Sequence, residues 1–470
     1  MSTITAESLG DAAFKADHGL RYAYLAGAMY KGISSKELVV ALGRNGMLGY
    51  LGTGGMAADL VESSIRYIQE RLPDREPFGL NLLCSIDRPE LEEHMVDLMI
   101  KYGARFAEAA AFMRITPSLV RYRLHGIRRS AAGEVEAPQR ILAKVSRPEV
   151  AAAFMQPPPQ DIVGALLASG RITAQQAELA ASIPMSEEIC VESDSGGHTD
   201  QGVAFALLPA MFALRDDAMR ANGYRKRIRV GAAGGIGTPH AAAAAFVMGA
   251  DFVMTGSINQ CTVEAGTSDE VKDILQQINV QDTTYAPAGD MFELGAKVQV
   301  VRRGLFFPSR ANKLYELYQR FGSIEDIDEP TRRQIQDKFF QRSFEEVWNE
   351  TRSYYARAMP ARLHEIERNP KHKMALIFKW YFVHTTRLAM QGVPDKKVDY
   401  QIHCGPALGA FNQWVKGTPL ESWRNRNAAD LGQRLMNGAA DLLNERFAVL
   451  RGSRPSPLHE PRPALIGAAD

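Results

Sequence analysis

At 470 residues the chain is too long for one compact core, and a barrel of about 250 residues would leave room for a second unit. Its hydrophobic share of 46% and charged share of 23% are ordinary for a globular protein, and a net charge of +1 argues against wholesale nucleic-acid or membrane binding. The four cysteines, Cys84, Cys190, Cys261 and Cys404, are scattered without CxxC pairs, so neither a metal site nor a disulfide framework is indicated and a reducing cytoplasm fits.

Short apolar or β-branched runs punctuated by glycine give eight strands: Tyr22–Gly27, Met47–Leu51, Phe78–Leu83, Arg105–Ala109, Ile141–Val145, Ile189–Ser193, Ile228–Ala232 and Phe252–Thr255. Helical patterns separate most of them: Ser35–Leu42, Ala57–Leu72, Pro89–Tyr102, Ser118–Leu124, Pro148–Phe154 and Val203–Asn222. An extra helical pair, Pro159–Ala168 and Thr173–Ala181, follows the triple proline at 157–159. Alternating strands and helices imply a parallel sheet. Eight such units close a (β/α)8 TIM barrel of the α/β class more naturally than they fill an open, doubly wound sheet, which is the alternative. The stretch RIRVGAAGGIGTPHAAAAAFVMGADFVMTGSINQ supplies the last two strands. Each ends in a glycine turn, with a helix expected from Pro239 to Met248 between them. Loops after strands seven and eight are the usual phosphate site of such barrels.

After Gly266 the texture changes. Ser268–Ile278 reads as one more helix, and from Phe307 the chain is dense in charge and aromatics. Ser309–Phe321, Glu329–Met359 and Lys371–Gln391 read as amphipathic helices of a cap. Gly405–Gly409 reads as a second glycine loop, before a last helix near Ala428–Leu450. The expected division is a barrel over 1–300 with 400–450 returning to it, a helical substrate domain over 301–399, and a disordered Pro-rich tail over 451–470. The N-terminus carries Glu7 and Asp11 and no apolar leader, and no run of about 18 apolar residues occurs. Neither export nor membrane spanning is expected, and the location is cytoplasmic.

Reactive groups of a barrel lie at the C-terminal ends of its strands. Strand one ends in Ala26-Gly27-Ala28-Met29, small enough for a flat ring to lie on backbone. Asn81 near the end of strand three either bonds a ribityl hydroxyl or phosphate or caps its loop. Lys144 at the end of strand five is a cation for the mouth or a solvated lysine. ESDSGGH follows strand six and puts His198 on a loop freed by two glycines, while Glu192 and Asp194 are an acid/base pair or solvated carboxylates. Gly234, Gly235, Gly256 and Ser257 would hold a phosphate. Together they describe a pocket for a phosphate-bearing planar cofactor, with Lys144 offsetting negative charge at a flavin's pyrimidine edge. GAAGGIG lacks the GxGxxG spacing of a separate dinucleotide site, so a nicotinamide would visit the same mouth as the second substrate in turn.

GAAGGIGTPHAAAAAFVMGADFVMTGSINQ, ESDSGGHTD and, more specifically, MFELGAKVQVVRRGLFFPSRANKLYELYQRF, NPKHKMALIFKWYF and DYQIHCGPALGAFNQWVKGT resemble the PfaD-like trans-acting enoyl reductases. These serve polyunsaturated fatty acid synthases and trans-acyltransferase polyketide synthases. They belong to a flavin group with the nitronate monooxygenases and the flavin-type bacterial enoyl-acyl-carrier-protein reductase. The resemblance runs from about Leu20 to Phe447. It implies an FMN barrel with a helical substrate domain that reduces enoyl thioesters on an acyl carrier protein with NADPH or NADH, and it is compatible with a homodimer. By position it implies Ala28 and Met29 behind the ring, Asn81 and Lys144 at its ribityl and pyrimidine edges, and Gly234, Gly235, Gly256 and Ser257 on the phosphate. His198 matches the GGH motif of proton handling, so the catalytic residues are His198 and Lys144. One departure is His403, where many relatives carry Trp before Cys-Gly-Pro, and it competes with His198 as the acid. Carrier docking would fall on Lys297, Arg302, Arg303, Arg310 and Lys313. Alternatives are a nitronate-type flavin oxidase and a non-catalytic synthase subunit.

Overall fold

The computed structural model describes residues 3–74, 76–85 and 88–452, with backbone alone at 361 and 362. Two units emerge. The larger runs through Ser195, resumes over Asp200–Gly266 and resumes again from Ala407; the smaller comprises Gly196–Thr199 and Thr267–Pro406.

Eight strands close the larger unit into a parallel barrel: β1 (Tyr24–Ala26), β2 (Leu48–Leu51), β3 (Gly79–Leu83), β4 (Phe106–Ala110), β5 (Arg140–Val145), β6 (Glu188–Glu192), β7 (Arg229–Ala233) and β8 (Val253–Thr255). Each pairs with the next, and β8 returns to β1 with Tyr24 opposite Val253, so no strand is left at an open edge. The strands read as continuous apolar runs because both of their faces are covered. Phe14, Leu25, Tyr50, Phe106, Phe252 and Met254 pack into one buried cluster. The helices follow their signals. Thr238 caps Pro239–Met248 by accepting from the Ala241 N–H, proline takes the first turn, and Gly249 ends it in the left-handed conformation. The last helix, Ala428–Leu450, packs on that helix so closely that a Cβ on Gly438 would lie 2.7 Å from Pro239.

At the N-terminal strand ends the barrel is plugged by charge. Arg140 and Arg229 both reach Glu188 Oε1, at 3.3 and 3.1 Å, and both reach Asp17. His18 is buried there between Phe14 and Phe106, with Nδ1–H donating to the Phe14 carbonyl at 2.9 Å.

The smaller unit begins at Thr267, not near 301. The reason is a three-stranded antiparallel sheet that the helical reading of this region did not contain. Strand Thr283–Pro287 pairs with Lys297–Val301, and the latter pairs with Gly197–His198. Helices Phe307–Arg320, Phe344–Ala358 and Pro370–Gln391 pack with it around Phe292, Phe307, Phe340, Phe378 and Phe382. The helix expected over Glu329–Met359 is broken. Gln341 sits at φ +56° after a π-helical turn, and Ser343 starts the next helix with a capping box. Gly405–Gly409 is not a loop either: Pro406–Trp414 is helical and buries Gly409. The tail beyond Gly452 lies outside the described residues. Among the described residues no helix is long and apolar enough to cross a membrane.

Candidate active site

The period of two along a strand and the stagger of a barrel build the site. Glu108 on β4 stands opposite Leu142 on β5, and Lys144 lies two residues further along, on the same face as Leu142. Lys144 in turn stands opposite Cys190 on β6, and Glu192 lies two residues beyond that. Glu108, Lys144 and Glu192 therefore form a diagonal across three strands. Lys144 Nζ is 3.0 Å from Glu108 Oε1 and 4.0 Å from Glu192 Oε1. Burial works against the lysine's charge, but the two carboxylates outweigh it and hold the amine well above its ordinary range. Its neighbour Cys190 is a buried thiol pushed well up by desolvation and the same carboxylates, which makes it an unreactive core residue.

Glu108 is fully buried and ties together three of the expected residues. Its Oε2 accepts the Ala28 N–H at 2.8 Å, its Oε1 meets Lys144, and its main-chain carbonyl accepts Asn81 Nδ2 at 3.1 Å. Asn81 is thus a buried strand residue, and its own carbonyl accepts the Thr53 hydroxyl at 2.7 Å. Met29 is fixed by its N–H on Ser34 Oγ at 2.8 Å. Glu108 was missed in the sequence, although a lone carboxylate in the apolar run FAEAA was a signal of it. Of the two carboxylates after strand six, Glu192 joins the lysine and accepts the Ser195 hydroxyl, whereas Asp194 is held by its main chain on the Gly202 carbonyl.

The glycine turns follow β7 and β8. Gly234 and Gly235 have φ of +83° and +73°, a conformation that side chains rarely adopt. A Cβ on Gly234 would strike the Ser193 carbonyl at 2.5 Å, whereas one on Gly235 or Gly256 would meet nothing within 4 Å. Gly234 is therefore needed for packing, and Gly235 and Gly256 border open space. Ser257 begins a short helix just after Gly256. Ser193 Oγ is buried without a hydrogen-bond partner among the described residues. Open glycine turns, an unsatisfied hydroxyl and a charged lysine are a donor set that fits an anionic, ring-bearing cofactor.

In the smaller unit, His198 Nε2 lies 2.9 Å from Asp290 Oδ1, and both side chains reach solvent. Asp290 carried no sequence signal. Against the raising effect of burial, the hydrogen bond from His198 holds Asp290 below its ordinary range. His403 is also here. The Thr386 hydroxyl donates to Gln401 Oε1 at 3.1 Å, which turns the Gln401 amide NH2 onto His403 Nε2 at 2.7 Å. His403 Nε2 is then an acceptor. Burial and the nearby His198 push its pKa down to about 4, so it is neutral at pH 7. Most of the expected basic face is paired inside this unit. Half-buried Arg310 pairs with buried Asp399, Arg303 reaches the Gln277 carbonyl and Asp282, and Lys313 pairs with Glu316.

A parallel barrel with ionised side chains and glycine turns at the C-terminal strand ends is the architecture of a (β/α)8-barrel enzyme. The chain belongs to the nitronate monooxygenase family, whose description matches residues 14–294, and this makes it a flavin-dependent oxidoreductase by class. Residues 321–400 match a second family, the inserted helical domain of [acyl-carrier-protein] S-malonyltransferase. The polyketide biosynthesis protein PksE of Bacillus subtilis (strain 168) is 56% identical over 97% of this chain and 59% of its own length. A component of the polyunsaturated fatty acid synthase of Thraustochytrium sp. is 44% identical over 89% of this chain and 28% of its own. The chain thus spans three-fifths or less of these curated relatives. The solved enoyl reductase domain of MlnA, from the macrolactin biosynthesis cluster of Bacillus amyloliquefaciens, is 46% identical with a TM-score of 0.91. That match covers 94% of this chain and 99% of the domain.

Proposed function

We propose that the chain is an enoyl reductase that uses FMN and NADPH, or NADH, to reduce the α,β-double bond of a thioester carried by an acyl carrier protein in polyketide or polyunsaturated fatty acid synthesis. The observation that carries this reading is the end-to-end match to the MlnA enoyl reductase domain. Gly234, Gly235, Gly256 and Ser257 hold the FMN phosphate, Ala28 and Met29 back the ring, and Asn81 and Lys144 serve its polar edges. When bound, FMN supplies the hydride relay between nicotinamide and the β-carbon of the substrate. Lys144, kept charged by Glu108 and Glu192, provides a fixed positive charge where that ring gains electron density. His198 gives a proton to the α-carbon, and neutral His403 does not. Overall, NADPH, a proton and the enoyl thioester become NADP+ and the saturated thioester.

The family description supports a second reading, oxidation of a nitronate with oxygen as acceptor. The test is the absorbance spectrum of the purified protein, then anaerobic reduction by NADPH, then mixing with either air or a crotonyl-carrier thioester. Rapid reoxidation by the thioester and slow reoxidation by air is the expected result. The reverse order establishes the oxidase, and a colourless protein that takes up no FMN and consumes no NADPH overturns both.

A further inference from the structure

His198 sits on the two-residue strand Gly197–His198, opposite Val298 of the strand Lys297–Val301. A short strand fixes the backbone of the histidine but not its ring. The ring is fixed by Asp290, from the turn between the strands Thr283–Pro287 and Lys297–Val301, through the contact of Nε2 with Oδ1 at 2.9 Å. Other charged or titratable groups nearby have partners of their own. His403 is committed through Nε2 to Gln401, and Lys379, from the helix Pro370–Gln391, bonds Glu293 at 2.8 Å while its ammonium also touches the Asp290 carbonyl. Lys297 lies over the Tyr315 ring. Asp290 is therefore a carboxylate held directly on the His198 ring.

We propose that Asp290 is the positioning residue for His198: it accepts the Nε2–H, orients the ring and favours its protonated form, the form that can give a proton to substrate. This rests on the enoyl reductase reading. In the transfer an N–H bond of the imidazolium breaks, a C–H bond forms at the α-carbon as the enolate electron pair takes the proton, and the imidazole regains a proton from water. The hydride at the β-carbon comes from NADPH by way of the flavin.

The experiment follows His198 itself in the full-length protein loaded with FMN. Histidine-labelled protein is titrated by NMR, with His198→Gln used to assign the resonance, and the rate at which crotonyl-carrier thioester reoxidises the reduced protein is measured across pH. Asp290→Asn should lower the His198 midpoint by about one pH unit, as loss of an adjacent carboxylate does. The alkaline limit of reoxidation should move down with it, while reduction by NADPH is unaffected. Asp290→Glu, which restores the charge, should bring both back toward wild type. A His198 midpoint unchanged in Asp290→Asn, or one that falls equally in Asp290→Glu, overturns the proposal. If the midpoint shifts as expected but the wild type never reacts with the enoyl thioester, the pairing stands and the enoyl reductase reading falls.

Discussion

Lys144 Nζ and Glu108 Oε1 are 3.0 Å apart on neighbouring strands, and the carboxylate of that pair is fully buried. The other oxygen of Glu108 holds the Ala28 N–H, so the lysine's position and the turn after β1 are set by the same group. Removing one partner strands the other. Lys144→Met should destabilise the protein by about 3–5 kcal/mol, because it leaves a buried carboxylate without its cation. Lys144→Met combined with Glu108→Gln should recover much of that loss. Urea unfolding of the two single variants and the double gives the coupling directly.

The cradle assigned to the phosphate is tested with the least backbone strain at Gly256, whose φ is −129° and whose Cβ position is open. Gly256→Glu should therefore fold normally and yet bring a negative charge into the cradle. Loss of at least tenfold in FMN affinity, read from flavin fluorescence quenching, is expected. A variant that stays yellow with unchanged affinity would move the phosphate elsewhere.

Acid lability should come from the floor of the barrel. Burial, and the positive charges of Arg140 and Arg229, push His18 down to a pKa of about 3, against an ordinary 6.5. Between those values the unfolded chain binds the proton that the folded one refuses. The folded state is thus unpenalised above about pH 6.5 and loses stability as the pH falls toward 3, by up to about 4 kcal/mol. His18→Leu should flatten this part of the curve of stability against pH, measured by chemical denaturation at pH 7 and pH 4.5.

Within the basic run, the structure separates scaffolding from surface. Asp399 is buried against Arg310, so Arg310→Ala should cost about 2–4 kcal/mol of stability through an unpaired carboxylate. Arg302 is exposed, and Lys297 is half-buried at the start of the middle strand of its sheet. If carrier protein docks here, reversing both to Glu should raise the KM for a carrier-borne thioester severalfold and leave that for a pantetheine thioester unchanged.

All eight barrel strands could be read from the sequence because each is a short apolar run closed by glycine or a polar residue, and β/α alternation leaves few topologies. The glycine turns were legible for the same reason. Glu108 was not, since a strand pattern says where a side chain points but not that it will be paired with a lysine on the next strand. The antiparallel sheet of the smaller unit was obscured by the amphipathic helices around it, and one of its strands is only two residues long. Asp290 is an ordinary loop aspartate in sequence and acquires a partner only when that sheet forms, 92 residues away from His198 along the chain.

The tetrapeptide Gly196–Thr199 belongs to the smaller unit although barrel segments flank it on both sides. Anyone building chimaeras from this family by exchanging the region after Gly266 would leave that piece behind. A recipient would then receive Asp290 and its sheet from one parent and the histidine from the other, with the strand pairing between them unmatched. Domain grafting here calls for two cuts around residues 196–199 as well as the two at 266 and 406.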